Sequence, residues 1–194
     1  MFHRCPGISV ASAAGLSAAV VVAAAPSLAD TCAESTTCPT TVNFTVTAEG
    51  GLAVTLPTSA VNLGTGNSGG HISGRLGEIT VSDQRAALNA TWTATVVAGS
   101  GGFTTGAGTP TETIPDDEVY YWSGRATATT GTGNFVAGQP TAADGQTLDI
   151  TRISYSKTSG SGDNSCTWNP TLEIHVPDDA VAGTYTGTVN HSVT

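Results

Sequence analysis

The chain has 194 residues, 24 of them Gly and 33 Thr, with a single Lys and only 11% charged residues. So little Lys, Arg and Glu beside so much Thr and Gly excludes a protein built on long helices and leaves short strands joined by turns. Fifteen acids against six bases, a formal net charge of -9, also exclude a nucleic-acid binder, because no basic patch is at hand to replace phosphate counterions.

Residues 1–29 read as a secretory signal peptide. His3 and Arg4 precede an apolar stretch from Ile8 to Ala25, Pro26 breaks it, and Ser27 and Ala29 are small at the −3 and −1 positions of a cut before Asp30. Ala dominates the stretch, which falls short of the ~20 strongly apolar residues of a membrane span. Export is therefore expected, with no transmembrane segment after cleavage. Cleavage removes Arg4 and no acid, so the secreted chain of 165 residues carries -10. In an oxidising space Cys32, Cys38 and Cys166 allow one disulfide and one leftover thiol, and three pairings are open.

Residues 30–40 are expected as a loose polar segment that Pro39 ends, and residues 41–194 as the domain. Val42, Phe44, Val46 and Ala48 alternate with polar neighbours; after a turn at Glu49-Gly50-Gly51, Leu52, Val54 and Leu56 repeat the alternation. This pattern predicts a hairpin. A Gly-rich loop from Gly64 to Gly70 follows. Further strands are expected at Ile79–Val81, Trp92–Val96, Val119–Trp122, Leu148–Ile153, Leu172–Val176 and Tyr185–Val193. The fold class expected is all-β, an Ig-like antiparallel β-sandwich of about eight or nine short strands. Before the last strand, Gly183 suits a positive φ, and Tyr185 is placed to return its hydroxyl to loop backbone like a tyrosine corner.

Catalytic patterns fail one by one. Gly66-Asn67-Ser68-Gly69-Gly70 fits G-x-S-x-G, yet the only His before Ser68 is His3 in the signal, and no helix follows the Ser. It reads as a turn. His71, His175 and His191 are scattered without metal-ligand spacing; His175 is expected at the surface and His191 along the core. Asp116-Asp117-Glu118 lacks the spaced ligands of a calcium loop and reads as solvated. No catalytic residue, metal or cofactor is expected. Tyr120 and Trp122 share one face of a strand and Tyr121 takes the other. An outward Tyr120–Trp122 pair could stack on sugar rings, whereas Trp92 and Trp168 sit in strand patterns that suit a core.

Two blocks carry a resemblance. Ile79-Thr80-Val81-Ser82-Asp83-Gln84-Arg85, followed by Trp92-Thr93-Ala94, is similar to a V-x-D-x-R stretch leading to a first Trp motif. Trp168-Asn169-Pro170-Thr171-Leu172, then Val176-Pro177 and Ala182-Gly183-Thr184-Tyr185-Thr186, is similar to a terminal Trp motif, strand and closure. In order and spacing the chain resembles the WxL domain of Gram-positive cell-surface proteins over most of residues 41–194. Position 94 is Ala and position 170 is Pro, so the likeness is to a divergent relative, of actinobacterial type by its Ala, Gly and Thr bias.

The resemblance implies a secreted, non-catalytic module held non-covalently on the cell wall at peptidoglycan, with other surface proteins as further partners. It also implies ligand-binding roles for Trp92 and Trp168 beside Tyr120 and Trp122. The sequence carries no L-P-x-T-G sorting signal, so no covalent route to the wall is expected. The alternative is a structural subunit or adhesin that assembles through sheet edges or faces.

Overall fold

A computed structural model of the chain describes residues 41–194. The signal expected at 1–29, the polar segment 30–40 and Cys32 and Cys38 lie outside the described residues. In chain order the strands are β1 (Leu52–Thr55), β2 (His71–Arg75), β3 (Ile79–Asp83), β4 (Trp92–Ala98), β5 (Phe103–Thr104), β6 (Thr113–Ile114) and β7 (Val119–Trp122). They continue with β8 (Ala126–Thr130), β9 (Phe135–Ala137), β10 (Gln146–Thr147), β11 (Arg152–Lys157), β12 (Asn164–Trp168), β13 (Thr171–His175) and β14 (Val189–Val193). Three single-turn 3-10 segments are the helical content among the described residues. The protein is all-β, with more and shorter strands than the periodicity predicts.

All pairings are antiparallel. The strand orders are β1-β3-β12-β8, β10-β7-β13-β2 and β14-β4-β11-β9, with β5 and β6 as a separate ribbon. The first two sheets are halves of one long layer. β2 runs on into β3, β12 into β13 and β7 into β8, each across a break of two or three residues. Gly77 and Gly124 take positive φ at two of these breaks, +96° and +70°, a backbone region that side chains disfavour. Proline at 170 breaks the third strand, and the Leu76 amide still donates to the Pro170 carbonyl at 2.9 Å.

The β14-β4-β11-β9 sheet covers both halves. The first half of β4 supplies Trp92 and Ala94 to a core with Ile79, Val81, Tyr155, Cys166 and Trp168. The second half supplies Val96 and Ala98 to a core with Ile114, Val119, Tyr121, Leu148, Leu172 and Ile174. Trp168 joins the two cores by donating its indole N–H to the Tyr121 hydroxyl at 3.2 Å. This packing of two layers is a β-sandwich. Thr and Ser pairs pin the outer faces: Thr95 to Ser192 at 2.7 Å, Thr80 to Thr167 at 2.9 Å and Thr130 to Ser165 at 2.8 Å. Thr there serves the strand backbone and the solvent face at once.

The V-x-D-x-R block is structural. The fully buried Asp83 carboxylate accepts from Arg85 Nε at 2.8 Å and Nη2 at 2.9 Å, and from the Arg85 amide at 3.1 Å. These bonds hold the Asp83 carboxyl below its ordinary range against the opposing effect of burial.

Several expectations are corrected. Residues 42–48 form no strand: Val42, Phe44 and Val46 are 76%, 85% and 75% exposed, and β1 pairs with β3 rather than in a hairpin. Alternation alone cannot supply a partner strand. The predicted strand at Leu148–Ile153 splits, because the chain changes sheets there: the amide of buried Leu148 donates to the Val119 carbonyl of β7 at 2.9 Å, and its carbonyl accepts from the Ala98 amide of β4 at 3.1 Å. The last strand begins at Val189, and Thr186 makes only an isolated bridge to Thr104. Gly183 does not have a positive φ; a Cβ there would lie 2.5 Å from the Thr105 hydroxyl oxygen, so close approach requires the Gly. Tyr185 does form the expected corner, with its hydroxyl donating to the Val181 carbonyl at 2.8 Å and 3.2 Å from that of Thr111.

Candidate functional site

The outward face of the β10-β7-β13-β2 sheet gathers the side chains with the most chemistry. Strand alternation turns Val119, Tyr121, Leu172 and Ile174 inward, so Tyr120, Trp122, Thr171, Glu173 and His175 stand on the opposite side. Register then sets rows across the face. Tyr120 lies opposite Glu173, and Glu173 opposite Ser73; Trp122 lies opposite Thr171, and Thr171 opposite Arg75; His175 lies opposite His71.

Tyr120 and Trp122 are half-buried, as an outward pair on a strand should be. The Tyr120 ring stacks on the His175 ring with centroids 4.2 Å apart and planes at 25°. His175 in turn meets the His71 ring at 3.9 Å. Arg75 is exposed and donates to the Asn169 carbonyl at 2.6 Å. The face thus offers aromatic rings for stacking beside a carboxylate, imidazoles and a guanidinium for hydroxyl and anionic groups.

Glu173 ties the polar half together. Its Oε1 lies 2.9 Å from His175 Nε2 and 3.4 Å from His71 Nδ1. The His175 contact, reinforced by His71, holds the Glu173 carboxyl below its ordinary range, with burial opposing. Glu118, at the end of the 3-10 turn Asp116–Glu118, brings Oε2 to 3.8 Å from His175 Nδ1. His71, Glu173 and His175 each offer one ligand atom, and the three atoms lie within 4.8 Å of one another. These are the residues here able to hold a metal ion. Sequence spacing misses them, since His71 and Glu173 are separated by 102 positions and meet only through the β2–β13 register.

The remaining sequence candidates fall elsewhere. Trp92 and Trp168 are 3% and 0% exposed, so the ligand-binding roles implied for them are corrected: both rings are core, unreachable from solvent. Trp92 donates its indole N–H to Asn164 Oδ1 at 2.9 Å. Cys166 is a buried free thiol, pushed up to about 12 by desolvation; its expected pairing partners Cys32 and Cys38 lie outside the described residues. Ser68 donates its hydroxyl to the Ala180 carbonyl at 2.7 Å, as a turn residue. His191 lies half-buried, its Nε2 without a partner, and desolvation lowers its pKa to about 4.

On the other side of β2 and β13 an apolar cleft of about 1180 Å³ opens, lined among others by Leu63, Ile72, Phe103, Leu172, Val176 and Val189. Among the described residues no helix is long and apolar enough to cross a membrane. Compared with family models, curated proteins and solved structures, the chain matches none of them.

Proposed function

We propose that this is a secreted, non-catalytic cell-surface module that associates non-covalently with the cell wall, and that the outward face of the β10-β7-β13-β2 sheet is where it meets the peptidoglycan glycan. The observation that carries the reading is the Tyr120–Trp122 pair, outward on β7 in a single sheet face with Glu173, Arg75 and two imidazoles. Half-exposed rings flanked by hydrogen-bonding groups suit a polymer whose sugar rings present apolar C–H faces and hydroxyl edges. The likeness to the WxL domain points to the same polymer. A secreted chain at -10 gains nothing from charge attraction to an anionic wall, so stacking and directed hydrogen bonds have to supply the retention.

Co-sedimentation with purified peptidoglycan sacculi tests this. Wild-type protein is expected in the pellet, and a Tyr120→Ala, Trp122→Ala double variant in the supernatant with an unchanged unfolding curve. Wild-type protein left in the supernatant, or equal retention of both, rejects the reading.

A second reading, a structural subunit that assembles on the surface, is favoured by a separate observation. Residues 42–46 present Val42, Phe44 and Val46 to solvent in a strand-like alternation, while β2 and β14 are sheet edges whose Ile72 and Val189 line the apolar cleft. The occupant that fits is the 41–48 segment of a second copy, added as an edge strand with its apolar side chains in the cleft. Concentration-dependent oligomers in sedimentation velocity, abolished by Phe44→Asp, are the expected result. A monomer at all concentrations rejects it.

A further inference from the structure

The structure assigns a divalent transition-metal site, best matched to Zn²⁺, to His71, Glu173 and His175. Three features carry it. First, the ligand set is right: two imidazole nitrogens and one carboxylate oxygen are the donors that a borderline-soft cation takes, whereas Ca²⁺ and Mg²⁺ prefer oxygen alone. Second, the spacing is right. Tetrahedral bonds of roughly 2.0–2.2 Å place neighbouring ligand atoms about 3.3 Å apart. Glu173 Oε1 already lies 2.9 Å from His175 Nε2 and 3.4 Å from His71 Nδ1. All three atoms sit within 4.8 Å, so small rotations about the side-chain bonds bring them round one ion.

Third, the ligands are held by their surroundings. His71 and His175 are directly opposed in the β2–β13 ladder, and Glu173 stands two residues along on the same face. Ladder hydrogen bonds therefore fix three Cα positions at once. The His175 ring is clamped between Tyr120 and His71, and Glu118 Oε2 lies 3.8 Å from its Nδ1. Glu118 is thus an ion-pair neighbour of Nδ1, while the ring's other nitrogen, Nε2, faces Glu173.

The site is open. His71 is 58% exposed at its side chain, and the three ligands come from one side, leaving at least one position facing solvent. That position accepts an oxygen ligand, such as a carboxylate or phosphate, from outside the protein. Where the glycan reading above holds, the ion would join an acidic protein to an anionic polymer on the same face; the metal site itself does not depend on that reading.

Titration calorimetry of the tag-free secreted protein with ZnCl₂ tests the site without any polymer present. One ion per chain is expected at micromolar affinity, with no binding of Ca²⁺ under the same conditions. His71→Ala and His175→Ala should each weaken Zn²⁺ binding by about ten-fold or more. Their urea midpoints should stay unchanged, since both rings lie on the outer face. Cobalt substitution supplies a second readout: an intense visible absorption of tetrahedral Co²⁺ in wild-type protein, absent from His175→Ala. No binding of Zn²⁺ up to about 1 mM overturns the site, as does undiminished binding by both His variants.

Discussion

Trp92 and Asn164 are joined across the core by a 2.9 Å hydrogen bond between the indole N–H and the side-chain carbonyl, 72 positions apart in the chain. The Asn164 amide nitrogen donates in turn to Asp83 Oδ2 at 3.3 Å and to the Gly162 carbonyl at 3.1 Å. One side chain thus satisfies a buried indole and helps to satisfy a buried carboxylate. Replacing Asn164 by Ala leaves two buried polar groups short of partners and should destabilise the fold by about 2–4 kcal/mol. Urea unfolding followed by fluorescence checks this; a loss under about 1 kcal/mol contradicts the network's role.

His191 makes stability depend on pH. Burial lowers its pKa from 6.5 to about 4, opposed by a contact with the Val189 backbone. The folded protein therefore binds fewer protons here than the unfolded chain, and the contribution is complete above pH 6.5 and drains away as pH falls toward 4. Between pH 7 and pH 5 the loss amounts to about 2 kcal/mol. The variant His191→Gln removes the titrating group, so its stability should fall less over that interval than that of wild type. Parallel curves for the two proteins would contradict this assignment.

The single Lys of the chain is a buried residue. Lys157 is 1% exposed, donates to the Ala90 carbonyl at 2.9 Å and the Ser159 carbonyl at 2.6 Å, and places its Nζ 5.7 Å from the Phe135 ring centroid. Amine-reactive reagents should modify only the terminal amine of the native protein and gain Lys157 after denaturation. Intact-mass measurement before and after urea reads the difference. Ready native labelling at Lys157 would show that the side chain is accessible.

Cys166 lies on β12, fully buried and with a thiol that burial makes hard to ionise. It should ignore thiol reagents until the sandwich unfolds. Peptide mapping under non-reducing conditions should find Cys166 as a free thiol. A disulfide-linked peptide containing Cys166 would contradict the buried thiol directly.

Much of the sandwich is legible in the sequence because its central strands alternate cleanly. In β4, Trp92, Ala94, Val96 and Ala98 are buried with half-buried residues between them, and β7 has the limits that its pattern predicts. The misses have a shared cause: pattern reports which residues want burial, not which strand will cover them. Residues 42–48 alternate as well as β4 does and yet form no strand, while His71–Arg75, interrupted by Gly74, carries no strand pattern of its own and is a strand held by β13. The site follows the same rule. Tyr120 and Trp122 are readable because they are neighbours on one strand. Their partners Glu173, His175, His71 and Arg75 are brought beside them by inter-strand register, which no local spacing encodes.

The claim that the outward β7 face meets the glycan can be read from the three Trp side chains alone. Trp92 and Trp168 are buried with their indole N–H groups bonded to Asn164 and Tyr121, and Trp122 stands outward. A ¹⁵N–¹H spectrum of uniformly labelled protein therefore contains three indole resonances, and soluble peptidoglycan fragments should move that of Trp122 while leaving the other two in place. Saturating fragments that shift none of the three, or shift Trp92 or Trp168 but not Trp122, would contradict the account.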